Sequence, residues 1–114
     1  MIIAVAGPYS AETETQRLEN FDRLNRVAAR LLERGHIPVV GVNAALPVVD
    51  KIELANKRKA IMDISLAVVQ CCDALLMFAE SPGAIEEMNL VAAMGKPIYL
   101  SENEVPEAEN IQPK

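Results

Sequence analysis

The sequence is poor in side chains that bind transition metals or form disulfides, with one histidine and two cysteines among its 114 residues. A zinc site needs several cysteine, histidine or carboxylate ligands close together, so no metal site is expected. Cys71 and Cys72 are adjacent and therefore poorly placed to bond each other. Their apolar surroundings predict two buried free thiols, which are typical of a protein in a reducing cytoplasm.

The sequence also lacks a long apolar run and a basic leader. No run of about 18 apolar residues is present, so no membrane-spanning helix is expected. Residues 1–7 contain no basic side chain and form too short an apolar segment for a signal peptide, which favours a cytoplasmic location.

Positive charge is in deficit, because 16 acidic residues against 11 basic ones give a formal net charge of −5. Such a chain has no general field that attracts nucleic-acid polymers or anionic membranes, so neither is expected as a partner. The glycine-rich signatures of ATP-binding and dinucleotide-binding loops are absent, and no organic cofactor is expected. The first basic residue after Ser10 is Arg17, which argues against a dedicated phosphate site there.

Short apolar runs alternate with amphipathic stretches along the chain. The runs predict strands at 2–6, 36–42, 74–79 and 96–100, and three- and four-residue spacing predicts helices at 12–34, about 52–71 and 84–94. Residues 43–51 contain Asn43, Pro47 and Asp50 and are predicted to form a loop.

This alternation predicts an α/β fold, a single three-layer Rossmann-like or flavodoxin-like domain with a mostly parallel sheet of about four to five strands. The domain is expected to cover residues 1–101. Residues 102–114 are rich in acidic side chains and are predicted to form a tail that is mobile or lies across a partner.

Sheets of this kind bind ligands beyond the carboxyl ends of their strands. The segments in that position are residues 7–10, 43–47 and 80–87, together with Ser101. Gly7, Pro8, Ser10 and Asn43 are therefore candidate substrate-binding residues.

Two glutamates, Glu86 and Glu87, stand near the start of the helix predicted after the third strand, in the segment SPGAIEE at 81–87. In the simpler interpretation both complement the helix dipole and Ser81 caps the helix. In the functional interpretation one carboxylate points into the crevice, stays ionised at the helix N-terminus and attacks the anomeric carbon of a sugar.

Three other side chains are candidates for chemistry. Tyr9 either completes a turn or lies beside a sugar and hydrogen-bonds the nucleophile. Asp63 either faces solvent from its helix or contacts a base and protonates it as it leaves. His36 follows the predicted helix cap at Gly35, and a structural role is favoured for it over a catalytic one.

The motifs AGPYS at 6–10, SPGAIEE at 81–87 and GKP at 95–97 resemble those of one known superfamily. Over roughly residues 1–101 the chain is similar to the nucleoside 2-deoxyribosyltransferases and the 2′-deoxynucleoside 5′-monophosphate N-glycosidases, above all to their short bacterial and phage members. The resemblance implies an N-glycosyl hydrolase or transferase that acts on a nucleoside or nucleotide through a covalent glutamyl–sugar intermediate. It also implies a homodimer or homotetramer in which a neighbour completes the pocket.

The resemblance also implies roles for particular residues. In that superfamily the nucleophilic glutamate lies four residues after a glycine and eight before Gly-Lys-Pro, which selects Glu87 over Glu86 and marks Gly83. The family's tyrosine, serine and aspartate correspond to Tyr9, Ser81 and Asp63. Glu87, Tyr9 and Asp63 are then the catalytic residues, and Ser81 and Gly83 contribute to substrate binding. The basic, glycine-rich phosphate loop of the monophosphate glycosidases is missing after the first motif.

Two other classes of function stay open at this point. A non-catalytic nucleotide-binding or sensing module would keep the same pocket and use Glu87 to hold a ribose hydroxyl. An interaction protein would use its apolar surface only for assembly, and the apolar side chains near residues 43–51 are expected at a subunit contact, in a substrate lid or packed under the sheet edge.

Overall fold

The four apolar runs form the strands of one parallel sheet in the computed structural model, which describes residues 1–53 and 55–108. The strands are β1 (Ile2–Ala6), β2 (Ile37–Val39), β3 (Ala74–Met77) and β4 (Ile98–Tyr99), in the order β2-β1-β3-β4. All three pairings are parallel. The predicted α/β class is therefore confirmed, and the chain forms a Rossmann-like domain.

Four helices connect and cover these strands: α1 (Glu14–Glu33), α2 (Gly41–Val49), α3 (Lys57–Val69) and α4 (Pro82–Ala93). Three of them begin with a side-chain cap that accepts a hydrogen bond from a backbone amide of the first turn. The capping residues are Thr13 for α1, Asn56 for α3 and Ser81 for α4.

Alternate side chains of the central strands face opposite layers of helices, as the two-residue repeat of a strand requires. One face packs on α1 and the other on α3 and α4. The first layer contains Ile3, Val5 and Leu76 with Leu24, Val27 and Leu31 of α1, and the second contains Ala4, Ala6, Leu75 and Met77 with Val69, Ala84 and Val91. Because both faces are covered, β1 and β3 are almost wholly apolar, which is why they were recognisable in the sequence.

The predicted loop at 43–51 is wrong, because most of this segment belongs to helix α2. Ala45 and Val49, one turn apart, are buried, and α2 packs closely on α3. A β-carbon on Gly41 would lie 2.8 Å from the β-carbon of Ser65, so glycine permits this approach. Pro47 removes one backbone hydrogen bond from the helix, but tertiary packing overrides that local preference.

The predicted pair of buried thiols is also only half right. Cys72 is buried beside the sheet, whereas Cys71 is exposed, because consecutive residues in the turn after α3 point in different directions. Both thiols are free. None of the helices in the described ranges is long and apolar enough to cross a membrane.

The predicted acidic tail differs from the structure at residues 102–108, which lie against α1 and His36 instead of moving freely. Val105 is 3% exposed and belongs to the core layer formed with α1. Glu102 makes a two-pronged ion pair with Arg30, with both N–O distances 2.8 Å. Arg34 donates hydrogen bonds to the carbonyls of residues 102 and 105. The rest of the predicted tail, residues 109–114, lies outside the described residues.

His36 has the structural position that the sequence favoured. The ring is 1% exposed and its Nε2 lies 2.8 Å from the carbonyl oxygen of Pro106. Its Nδ1 lies 3.2 Å from the amino group of Met1. The imidazole therefore joins the start of β1 to the C-terminal segment.

Truncating Val105 tests this packing. We expect Val105→Ala to lower the free energy of unfolding by about 1–3 kcal/mol, because it removes buried methyl groups from a filled core. Leu32→Ala is the control, since Leu32 is 58% exposed on α1, and its change should stay within about 0.5 kcal/mol. Urea denaturation of both variants measures the difference, and equal effects would show that the segment does not pack on α1.

Candidate functional site

A cavity of about 790 Å³ lies beyond the carboxyl ends of β1 and β3. These strands are neighbours, yet the connection after β1 leads to β2 on one side and β3 lies on the other. This divergence is a topological switch point, where parallel sheets leave a crevice for ligands. The cavity is lined by Gly7 and residues 9–11 after β1, by parts of α2 and α3, and by the start of α4. Its volume suits a small molecule such as a nucleotide.

Helix α4 directs Glu87 into this cavity. The helix begins after Ser81, whose Oγ accepts a hydrogen bond of 3.1 Å from the amide of Ala84. Glu87 lines the cavity and is only 8% exposed, whereas Glu86 is exposed and lines a smaller pocket on the other side of Arg58 and Met62. Successive helical side chains point about 100° apart, which explains why only one of the two glutamates faces the cavity.

The carboxyl group of Glu87 has an unusual environment. Its Oε1 is buried and has no hydrogen-bond partner among the described residues. Burial, together with the nearby negative charge of Glu86, raises the pKa of Glu87 to about 7. The expectation that this carboxylate stays fully ionised is therefore wrong. It lies on the sixth residue of α4, beyond the free amides of the first turn, so desolvation outweighs the helix dipole.

Two glycines in the cavity wall allow close contacts with neighbouring side chains. A β-carbon on Gly7 would lie 2.4 Å from the ring of Phe78, so any larger residue where the chain leaves β1 would have to displace that ring. A β-carbon on Gly83 would lie 3.2 Å from the sulfur of Met62, which brings the start of α4 against α3.

Tyr9 is held in the wall of the same cavity. Its carbonyl oxygen accepts a hydrogen bond of 3.0 Å from the side chain of Asn20. Its ring meets that of Phe21 edge to face, with centroids 6.4 Å apart. The loop that carries Tyr9 and Ser10 is therefore fastened to α1.

The structure brings together most, but not all, of the predicted site residues. Those that line the cavity are Gly7, Tyr9, Ser10, Ser81, Gly83 and Glu87. Pro8, Asn43 and Asp63 are not among its lining residues. Asn43 is exposed and donates a hydrogen bond of 2.7 Å to Asn25. Asp63 is exposed, forms an ion pair with Lys59 at 2.8 Å and lines the smaller pocket with Glu86.

Sequence reasoning missed the basic side chains of this site. Arg17, Lys57 and Arg58 all line the cavity. Arg58 Nη1 lies 3.1 Å from Ser10 Oγ, and Arg17 Nη1 donates to the carbonyl of Ala11 at 2.8 Å. The run of basic residues at 57–59 is visible in the sequence, but nothing local indicates that α3 places its start beside the loop after β1.

The raised pKa of Glu87 predicts a pH-dependent cost in stability. Below pH 4.5 the carboxyl group is protonated in the folded and unfolded states alike. Between about pH 4.5 and 7 the folded state binds more protons than the unfolded state does. The free energy of unfolding therefore falls as the pH rises through this range. We expect Glu87→Gln to gain stability over the wild type across this window, by on the order of 3 kcal/mol at most.

Denaturation of the wild type and Glu87→Gln at pH 5, 6, 7 and 8 measures this effect. Glu19→Gln is the control, because Glu19 is an exposed acid of α1 that does not line the cavity. A difference between Glu87→Gln and wild type that stays constant with pH would contradict the raised pKa.

The comparisons with known proteins identify a family without assigning an activity. Residues 1–100 match the family model described as Domain of unknown function (DUF4406). No curated protein matches the chain. Because the family match covers nearly the whole chain, the protein belongs to the DUF4406 family.

Proposed function

We propose that the protein is an N-glycosyl hydrolase or transferase that acts on a nucleoside or nucleotide, with Glu87 as the nucleophile. One observation carries the proposal. A buried carboxyl group with a free oxygen lies in a nucleotide-sized cavity at the switch point of a parallel sheet. The resemblance of the AGPYS, SPGAIEE and GKP motifs to the deoxyribosyltransferase superfamily also supports Glu87 as the nucleophile.

The chemistry follows from the position of the carboxylate. An ionised Glu87 oxygen attacks the anomeric carbon, the carbon–nitrogen bond breaks, and its electron pair leaves with the base, which takes up a proton. The resulting glycosyl ester is then attacked at the same carbon by water, in a hydrolase, or by a nitrogen of a second base, in a transferase. Either step restores the free carboxylate. The positive charge that develops on the sugar in each transition state is stabilised by the nearby carboxylate.

Other cavity residues position the reactants. Tyr9 and Ser10 lie on the loop after β1 and offer hydroxyl groups to the sugar. Ser81 already accepts the capping hydrogen bond of α4, so its main effect is to orient the helix that carries Glu87. Asp63 is poorly placed to protonate the leaving base. Asp50, a carboxylate that does line the cavity, is the better candidate for that proton transfer.

Removal of the nucleophile tests the proposal directly. We expect Glu87→Gln to lower base release from 2′-deoxynucleosides or their 5′-monophosphates by at least about 10³-fold, because the amide of glutamine cannot form the glycosyl ester. Base release is followed by chromatography, with and without a second free base. Glu86→Gln, one residue away and exposed, should keep its activity within about threefold. Undiminished activity in Glu87→Gln would refute the assignment.

The pH dependence of kcat/KM distinguishes the role of Glu87. A nucleophile must be ionised, so activity should rise about tenfold per pH unit below the pKa and level off above about pH 7. A carboxyl group that acted instead as a general acid would produce a fall in activity through the same pKa. Steady-state kinetics between pH 5 and 9 measures which limb is present.

The second candidate function is a non-catalytic nucleotide-binding module, and the raised pKa of Glu87 is the observation that favours it. At neutral pH a large fraction of this carboxyl group is protonated and can donate a hydrogen bond to a ribose hydroxyl or a base. Calorimetric binding of a nucleotide without any base release, by wild-type protein, would support this alternative.

We further propose a cytoplasmic homodimer or homotetramer. The exposed free thiol of Cys71 suits a reducing compartment. Val48 and Ile52 are 54% and 46% exposed, and they are close in sequence to Val49 and Asp50, which line the cavity. A second copy of the chain that covers them would also cover this side of the cavity.

A further inference from the structure

We propose that Phe78 is a positioning residue of the site, whose ring holds the loop after β1 and the segment that leads into α4 at the separation that the reaction needs. Phe78 is half-buried and is not among the lining residues of the cavity, so it acts through the chain on either side of it. The inference rests on the proposed function for the reacting groups, which are the hydroxyls of Tyr9 and Ser10 and the carboxylate of Glu87.

The backbone of Phe78 belongs to the edge of the sheet from which both segments leave. Phe78 directly follows β3, and its amide donates a hydrogen bond of 3.2 Å to the carbonyl oxygen of Ala6, the last residue of β1. Its side chain lies on the same face of the sheet as that of Leu76, toward α1. Three residues later the chain reaches Ser81, the N-cap of α4. A displacement of Phe78 is therefore transmitted to the start of that helix.

The ring of Phe78 lies against the backbone of Gly7, the first residue after β1. A β-carbon on Gly7 would collide with the Cε2 and Cζ atoms, so the far edge of the ring makes this contact. Gly7 lines the cavity, and two residues later the chain presents Tyr9 to it. The ring thus supports the chain at the point where it leaves the sheet for the site.

The face of the same ring is covered by Arg23 of α1. The guanidinium carbon lies 4.7 Å from the ring centroid, which is within the range of a cation–π interaction. None of the ion pairs in the described part of the chain involves Arg23, so the ring is the contact that orients this exposed side chain. The ring is therefore fixed by one contact at its edge and another on its face.

The two halves of the site depend on different parts of the fold. Side chains of α1 donate hydrogen bonds to the carbonyl oxygens of Tyr9 and Ala11, which fastens the loop after β1 to that helix. Glu87, in contrast, is carried by α4, which follows β3. Phe78 joins these halves, because it belongs to the segment that leads into α4 while its ring contacts the loop and α1.

A joint of this kind controls the rate of attack more than the strength of binding. A displacement of about 1 Å between reacting groups can lower a rate about 10²-fold. A side chain at position 78 without the far edge of the ring would let the loop move toward β3, and the hydroxyls of Tyr9 and Ser10 would move relative to Glu87. The sugar would still be bound, but its anomeric carbon would be misaligned with the carboxylate.

Phe78→Leu tests this role, because leucine stays apolar but lacks the Cε2 and Cζ atoms. We expect kcat for base release from the four common 2′-deoxynucleosides to fall at least about tenfold, with KM within about threefold of wild type. Tyr99→Leu is the matched control, since Tyr99 is a half-buried aromatic residue that packs on the same core layer from β4. An unchanged kcat in Phe78→Leu, or an equal loss in Tyr99→Leu, would refute the role.

Gly7→Ala tests the contact itself. In the wild-type background the added methyl group has to displace the ring, so kcat should fall at least about tenfold. In the Phe78→Leu background the ring atoms that it would meet are absent, and the same substitution should lower kcat by no more than about twofold further. Losses that multiply in the double variant would show that the two residues act independently, and they would overturn the proposal.

Thermal unfolding of these proteins separates this inference from the proposed function, because it needs no substrate. Gly7→Ala should lower the Tm of the wild type more than it lowers that of Phe78→Leu, and equal shifts would contradict the contact. Base release with an unchanged kcat in Phe78→Leu would sink the positioning role and leave the glycosidase proposal standing. If the wild type releases no base, the glycosidase proposal fails, and calorimetric affinity for the same nucleosides becomes the readout across the variants. A protein that neither releases base nor binds a nucleoside would overturn both.

Discussion

The parallel pairing of β1 with β3 is the constraint on which the site depends. Its register places Ala6 beside Met77, so the two strands end at the same level. The chain therefore leaves both strands at the same edge of the sheet. The loop after β1 and the helix after β3 therefore leave from neighbouring points. Because β2 lies on the far side of β1, nothing in the sheet closes the gap between those exits. Tyr9, Ser10 and Glu87 meet there for this reason.

The stability of the domain and the chemistry of the site oppose each other at Glu87. Burial of a carboxyl group with an unpartnered oxygen is unfavourable for folding whenever the group is ionised. The same burial removes water and hydrogen-bond donors that would weaken a nucleophile. Structural roles alone would favour an apolar or paired side chain here. An unpaired acid within a well-packed helix is more readily understood as a group reserved for a ligand.

Helix α3 contributes to both ends of the cavity. At its first turn Lys57 and Arg58 provide positive charge, and one turn later Met62 packs on Gly83 of α4. Helix α2 packs along α3 and completes the wall, with Gly41 against Ser65. The cations and the carboxylate are thus fastened to two helices in direct contact.

The sequence by itself determined the strands, three of the four helices and the glutamate region. Continuous apolar runs can only be buried on both faces, and their alternation with amphipathic helices leaves few topologies. Glu87 was identified by motif resemblance, because two adjacent glutamates look alike until the rotation of a helix is known. Tertiary structure alone decided the rest. It turned residues 41–49 into a helix by packing them on α3, held Val105 in the core, and excluded Asp63 from the cavity. It also brought Arg58 to Ser10 across 48 positions of sequence. Contacts of that range depend on how helices pack over the sheet, and no local pattern of residues encodes them.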